Sequence, residues 1–152
     1  MISIDRFTKS AQEVAERAIQ IMQRYSHNQL DTEHVLLALF EQPQGAISQL
    51  LEFLKGDAKA LSERLDYILQ SSPQASVVGQ TEAGQTYITP RVKQMIDLAI
   101  EEENRLRDEL ISPEHLFLAI LSERNTPAAR LLEGAGLTHD RVYDAIQQMR
   151  GG

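Results

Sequence analysis

The sequence contains no cysteine and no tryptophan, and aromatic residues make up only 5% of its 152 residues. Without cysteine the chain can form no disulfide bond, has no thiol nucleophile and offers no thiolate ligand to zinc. Because aromatic side chains are scarce, leucine, isoleucine, valine and alanine must fill most of the hydrophobic core. The absence of cysteine also fits a cytoplasmic location.

Positive charge and long apolar runs are also scarce. The formal net charge is -7, and an acidic surface repels phosphate backbones, so binding to nucleic acid is disfavoured. No stretch approaches the roughly 20 apolar residues of a membrane span, and the first residues lack the apolar run of a signal peptide. We therefore expect a soluble cytoplasmic protein or protein fragment with no membrane or nucleic-acid partner.

The sequence patterns of common catalytic and metal sites are missing as well. No glycine precedes a lysine, which excludes the phosphate-binding loop of P-loop ATPases, and no serine lies in a Gly-x-Ser-x-Gly setting. His34 and His115 lack a second ligand four residues on, so hydrogen-bonded structural histidines are expected rather than metal ligands. We expect no catalytic residue, metal or cofactor in this chain. The alternative function, from the class of enzymes, is a small all-helical hydrolase or metal enzyme.

An internal repeat is the most informative feature that is present. When the chain is shifted against itself by about 81 positions, similar residues come into register without a gap. Thr8 then aligns with Thr89, and Glu33-His34 aligns with Glu114-His115. Such a repeat indicates two copies of one small helical unit. Each copy is near the lower size limit for independent stability, so the two should pack on each other and leave a junction between them.

Apolar residues recur at three- and four-residue steps along both copies, the spacing of a buried helical face. No segment shows the strict alternation of a half-buried strand. The predicted fold class is all-α, with eight helices in two sets of four. A third helix carries Ile47 to Leu54, and the residues predicted to cap or open the other seven are Thr8, Asp31, Asp57, Thr89, Ser112, Thr126 and either Thr138 or Asp140.

A polar segment separates the two copies. It is rich in serine, glutamine, glycine and threonine, and it contains Pro73, Gly79 and Gly84, a composition typical of a linker. We therefore predict a single domain over 1–152, with repeat one at about 5–70, a linker at about 71–86 and repeat two at about 87–150.

Four stretches make the repeat recognisable: Arg6-Phe7-Thr8, Tyr25-Ser26-His27 leading to Asp31 through Leu39, Tyr87 through Arg91, and Ile111 through Leu116. With them the chain resembles the N-terminal domain of the Clp ATPases, the ring-shaped unfoldases and disaggregases. The resemblance implies two pseudo-twofold-related four-helix repeats. It leaves open whether the chain belongs to the chaperone (disaggregase) branch or to the protease-partner branch.

The resemblance also implies a function. It suggests a non-catalytic domain that binds unfolded or aggregated polypeptides or adaptor proteins and delivers them to an ATPase ring. In one branch the domain recognises proteins marked by phosphorylated arginine. ATP and Mg would belong to ATPase modules absent from this chain, the isolated domain should be monomeric, and the parent protein should be hexameric. The alternative is a free-standing accessory subunit of the same fold that docks on a Clp protease complex.

Residue by residue, the resemblance assigns substrate or adaptor binding to Thr8, Glu33, Asp108 and Glu114. The two glutamates lie in the first turns of equivalent helices, where a carboxylate can bind a cationic group or simply complement the positive helix end. Thr8 is explained equally well as a helix cap. Asp108 follows a charged run that by default is a solvated helix end.

Apolar residues beside the two motifs complete the predicted site. In the family, some residues at this place are exposed between the repeats and bind unfolded segments, and a partly exposed apolar patch suits weak, promiscuous capture. The sequence does not indicate which of them face outward. The candidates are Leu30, Val35, Leu110, Ile111 and Leu116.

Overall fold

The computed structural model describes residues 4–72 and 87–151, so most of the predicted linker lies outside the described residues. Within these ranges the fold is all-α, as predicted. The helices are α1 (Lys9–Arg24), α2 (Thr32–Glu41), α3 (Ala46–Phe53), α4 (Ala58–Ser71), α5 (Pro90–Arg105), α6 (Pro113–Ser122), α7 (Pro127–Gly134) and α8 (His139–Met149), with a 3-10 turn at Ile4–Arg6.

Local capping chemistry fixes where these helices begin. The side chains that accept a backbone N–H hydrogen bond at a helix start are those of Thr8, Asp31, Asp57, Thr89, Thr126 and Thr138. Prolines occupy the first turn of α5, α6 and α7, where a missing N–H costs nothing. The predicted starts are confirmed, and of the two candidates for α8 the structure selects Thr138.

Two short strands, β1 (Gln29–Leu30) and β2 (Tyr87–Ile88), were not predicted. They pair in parallel, with Leu30 opposite Ile88. A matching bridge joins Phe7 to Ile111. The first residues of each repeat therefore pair with the segment that precedes the second helix of the other repeat. Strands of two residues are too short to show an alternating pattern, which is why the sequence gives no sign of them.

The core is built around α2 and α6, the second helix of each repeat. Nearly every residue of both helices is buried, and the rings of Phe40 and Phe117 meet edge to face with centroids 6.4 Å apart. Helix α1 packs on α2 and α5 packs on α6, whereas α3 contacts α6 and α8 and α4 contacts α7. One apolar cluster thus draws on both repeats, and each fully buried leucine or isoleucine in it contributes about 2 kcal/mol.

None of the helices in 4–72 and 87–151 combines the length and the apolar composition that crossing a lipid bilayer would require.

Candidate functional site

The cross-repeat pairing creates two pseudo-equivalent junctions. The first junction lies where the N-terminal ends of α2 and α5 meet, close to the end of α6, and consists of Asp31, Glu33, Thr89, Arg91 and Glu123. The second junction involves the N-terminal ends of α1 and α6 and the ends of α2 and α8, and consists of Thr8, Ser10, Gln42, Asp108, Glu114 and Arg150.

Asp31 is the centre of the first junction. Its Oδ1 accepts hydrogen bonds from Thr89 Oγ1 at 3.1 Å and from Arg91 Nε at 3.0 Å, and its Oδ2 pairs with Arg91 Nη2. The same carboxylate accepts from the backbone N–H of Thr32 at the start of α2. Burial alone would raise the pKa of Asp31, but these donors together hold it below its usual value. Asp31 therefore fastens α2 to α5 as an ionised group.

Glu33 lies beside this pair and is only 7% exposed. Thr32 Oγ1 donates to its Oε2 at 3.3 Å. Burial, and then the negative charge of Asp31, raise the pKa of Glu33. The carboxylate that was predicted to bind a cationic group in repeat one is thus largely covered.

Glu123, which sequence reasoning missed, completes the first junction. Burial and the nearby Asp31 raise its pKa to about 7, against the opposing effect of Arg91. Its Oε1 is buried without a hydrogen-bond partner among the described residues. Glu123 follows α6 in a position aligned with Gln42 of repeat one, so only that mismatch between the copies could have drawn attention to it.

Arg150 organises the second junction. Its Nη1 donates to Asp108 Oδ1 at 3.1 Å and its Nη2 to Glu114 Oε2 at 3.5 Å. The Asp108 and Glu114 side chains are 27% and 23% exposed. Burial opposes the shift, but Arg150 and His115 hold the pKa of Asp108 below its usual value. Asp108 is therefore a bonded group in the loop after α5, which ends at Arg105, and not a solvated helix end.

Thr8 caps a helix, which was one of the two roles that the sequence suggested for it. Its Oγ1 accepts from the backbone N–H of Ala11 at 3.0 Å and so caps α1. Its own N–H donates to the carbonyl of Ile111 at 2.9 Å. Ile111 lies between Asp108 and Glu114 in the chain, so this bond brings Thr8 close to both. Three of the four residues to which the resemblance assigned binding therefore lie together. Glu33 lies at the other junction.

The two aligned histidines are structural, as expected. Nδ1 of His34 accepts from the backbone N–H of Asp31 at 2.9 Å, and Nδ1 of His115 accepts from that of Ser112 at 2.8 Å. Because Nδ1 accepts in both rings, Nε2 is the nitrogen that can donate, and it faces His27 in repeat one and Asp108 in repeat two. Burial, and then His27, lower the pKa of His34 to about 4.

Of the five apolar candidates, the structure covers four and leaves one exposed. Leu30, Val35, Ile111 and Leu116 are buried in the core. Leu30 and Ile111 carry the cross-repeat pairing, while Val35 and Leu116 belong to the central helices α2 and α6. Only Leu110 is exposed, at 40%, so these five residues do not form an open groove.

A different apolar hollow borders the second junction. It has a volume of about 190 Å³ and lies between α3 and α8, with Leu50, Ile146 and Met149 beside Glu114 and Arg150. Charged groups at its edge and apolar walls inside can together receive a side chain that has a cationic end and an apolar stem. Among the described residues, no group of three or more histidine, aspartate or glutamate side chains is arranged to hold a metal ion.

Comparison with known proteins identifies the family. The family described as the Clp repeat (R) N-terminal domain matches residues 6–135. The chain belongs to this family. It is 29% identical over 151 residues to the chaperone protein ClpB of Nitratidesulfovibrio vulgaris, which covers 99% of the chain and 17% of that protein.

The relatives include both branches of the Clp proteins. The chain is 27% identical over 146 residues to the negative regulator of genetic competence ClpC/MecB of Bacillus subtilis, covering 96% of the chain and 17% of that protein. It therefore spans about a sixth of the length of these curated relatives. A complex of the ClpV N-domain with a VipB peptide has the same fold, with a TM-score of 0.69 and 14% identity over 91% of this chain and 83% of that one.

Proposed function

We propose that this Clp N-domain is a non-catalytic recognition domain that binds segments of unfolded substrates or adaptor proteins at the second junction. The observation that carries the proposal is the arrangement of Asp108 and Glu114 around a single arginine at the edge of an apolar hollow. Both carboxylates are partly exposed, so the cationic group of a partner can bind there in place of Arg150. The ATP-dependent unfolding of captured chains, in a cytoplasmic hexamer, would belong to the rest of the parent protein.

The shape of the second junction suits weak, broad recognition. A lysine or arginine side chain can place its charge between Asp108 and Glu114 and its stem along Met149 and Ile146. Leu110 adds exposed apolar surface two residues from Asp108 in the chain. In a protein of the protease-partner branch, the same carboxylates would bind the guanidinium of phosphorylated arginine. The ClpV N-domain solved with a VipB peptide supports peptide binding by this fold.

The first junction is the weaker candidate. Glu33 is buried, and Arg91 is held by Asp31 through two hydrogen bonds. A partner would have to break this pair, which costs more than displacing the more loosely bound Arg150, whose bonds to Asp108 and Glu114 are longer. We therefore assign binding to Glu114 rather than to the buried Glu33.

Titration of the domain followed by two-dimensional NMR tests the assignment. The probe is an unfolded peptide of about 15 residues with lysine, arginine and leucine, used with and without phosphorylated arginine. Shifts should cluster at Thr8, Asp108 and Glu114. Glu114→Gln should weaken binding about tenfold, the usual loss when one charge-assisted hydrogen bond is removed.

The matched control is Glu101→Gln, an exposed position on α5, which should bind the peptide as the wild type does. Equal weakening by both variants would mean that only net charge matters, and the proposed site would be rejected. Shifts confined to the surroundings of Glu33 would move the site to the first junction.

A further inference from the structure

A groove of about 510 Å³ lies between α4 and α7, and none of its lining residues belongs to either junction. Its apolar lining comes from Ile68, Pro127 and Leu131, of which Leu131 is buried in the core. Tyr67 stands at its edge with 73% of its surface exposed. Large exposed aromatic side chains beside an apolar floor are typical of protein-binding surfaces.

Two arginines border this groove and form no ion pair with the described residues. Arg64 on α4 and Arg130 on α7 are exposed, and neither forms an ion pair with any residue in 4–72 or 87–151. The arginines of the described residues that pair with carboxylates are Arg6, Arg17, Arg24, Arg91, Arg105 and Arg150. Arg107, Arg124 and Arg141 also form no ion pair with the described residues, but they do not line the groove. Asp66 on α4 is hydrogen-bonded to Tyr25 and Gln70 and does not line the groove. Glu63 is the one carboxylate in the lining, so the charges of Glu63, Arg64 and Arg130 sum to a positive value.

The repeat supplies an internal control for these residues. The hollow between α3 and α8 is the pseudo-equivalent of the α4–α7 groove and is smaller, at about 190 Å³. At equivalent positions Arg64 corresponds to Ala145, Tyr67 to Gln148 and Arg130 to Gln49. The same helix pairing therefore forms without the two arginines and the tyrosine, and the fold does not explain their presence.

We propose that the α4–α7 groove is a docking surface for an acidic segment of a partner protein. An aromatic or aliphatic side chain of that segment packs between Tyr67 and Leu131, and its carboxylates pair with Arg64 and Arg130. Guanidinium groups suit this role because each can donate two parallel hydrogen bonds to a carboxylate. The α4–α7 groove would bind a negatively charged segment, whereas the carboxylates of the second junction would bind a cationic group. The two surfaces use different residues, so both can be occupied at once. The proposal does not rest on the function assigned to that junction.

The net charge of -7 opposes the approach of an acidic partner, but distance decides which effect wins. At physiological salt, charges farther apart than about 8 Å are largely screened. Contacts at hydrogen-bond distance from Arg64 and Arg130 are screened far less, so the local attraction exceeds the repulsion by the rest of the surface. Binding should consequently be specific for the groove and weaken as salt is raised.

Fluorescence anisotropy with a labelled peptide tests the proposal. The probe is a peptide of about 12 residues that alternates glutamate with leucine or phenylalanine, and the comparison peptide has lysine in place of each glutamate. The decisive variant carries Arg64→Ala, Tyr67→Gln and Arg130→Gln, which gives the groove the residues of its pseudo-equivalent and should fold normally. The control is Lys9→Gln with Lys93→Gln, two exposed positions outside the groove with the same change in charge.

We expect the acidic peptide to bind the wild type and the control alike and the triple variant at least about tenfold more weakly. The lysine peptide should bind the triple variant as it binds the wild type. Equal affinity of the acidic peptide for wild type and triple variant would overturn the proposal, as would no binding to the wild type. Self-association that the triple variant abolishes, without peptide binding, would show an interface between copies of the chain and would also overturn it.

Discussion

The first junction has three ionisable groups, Asp31, Arg91 and Glu123, where the second junction has Ser112, Ser10 and Gln42 at the equivalent positions. The backbone pairing is nevertheless the same, because Thr89 N–H donates to Leu30 and Thr8 N–H donates to Ile111. At the second junction Gln42 Nε2 reaches Ser10 Oγ at 2.9 Å. A neutral hydrogen bond can therefore occupy the place of the Asp31–Arg91 pair, so charges at these three positions are not a requirement of the fold.

What the two junctions share is the buried histidine at the third position of α2 and of α6. Each ring links the start of its helix to the preceding loop. The shared histidines hold the backbone frame, and the residues around them set the charge and the exposure of each junction.

The largest expected effect comes from removing that common element. His34→Ala and His115→Ala should each lower the free energy of unfolding by about 2–4 kcal/mol, because each leaves a cavity and an unpaired backbone N–H. Urea denaturation followed by circular dichroism measures both. If only one substitution proves costly, the two histidines do not have the same structural role.

A smaller effect is expected from the groups that differ. Arg91→Ala removes the counter-charge of the half-buried Asp31 and should cost about 1–2 kcal/mol. Ser10→Ala at the equivalent position loses one neutral hydrogen bond and should cost less than about 1 kcal/mol. The same denaturation assay, with Lys93→Ala on the exposed side of α5 as control, compares them. A loss of stability for Ser10→Ala as large as that for Arg91→Ala would contradict the prediction, because the charged pair would then stabilise its junction no more than the neutral hydrogen bond does.

The smallest effect concerns the acceptor beside each histidine. His27→Asp gives repeat one the carboxylate that Asp108 provides in repeat two, and it should raise the pKa of His34 from about 4 by about one pH unit. Since the pKa of His34 is lowered by folding, its contribution to stability is complete above pH 6.5 and is lost as the pH falls toward 4. The variant should therefore lose less stability over this range than the wild type.

NMR titration of the His34 ring protons measures that pKa directly, with His115 as the reference signal in the same spectra. Glu123 contributes in the opposite sense, because its raised pKa means that stability is lost as the pH rises through about 7. The comparison of variant with wild type cancels this contribution. An unchanged His34 pKa would show that burial alone controls the ring.

The helices and their caps could be predicted because their signals are local. A threonine or aspartate before an apolar periodicity fixes a helix start without information from the rest of the chain. The strands could not, since two paired residues carry no pattern. Within the candidate site, repeat equivalence predicted one environment for Glu33 and Glu114, yet one is buried and the other is partly exposed. That difference depends on which residue of the other repeat faces each carboxylate, which no local pattern contains.

The apolar residues illustrate the same limit. The apolar pattern predicts that Leu30, Val35, Ile111 and Leu116 lie on apolar surfaces, but it does not show whether such a surface belongs to the core or to a binding groove. The family resemblance favoured a groove, but all four lie in the core: Val35 and Leu116 on the central helices α2 and α6, and Leu30 and Ile111 in the cross-repeat pairing. Leu110, next to Ile111 in the chain, lies in the bend before the bridge to Phe7 and stays 40% exposed.

The pairing of each repeat's first residues with the other repeat has a consequence for synthesis on the ribosome. When repeat one has emerged, Phe7 still lacks Ile111, and α3 and α4 still lack α8 and α7. The apolar faces of the early helices therefore stay open until almost the whole domain has been translated. Contacts that join residues so far apart in the chain slow the acquisition of native structure. The nascent chain of this Clp N-domain is therefore prone to aggregate until its last helix has been translated.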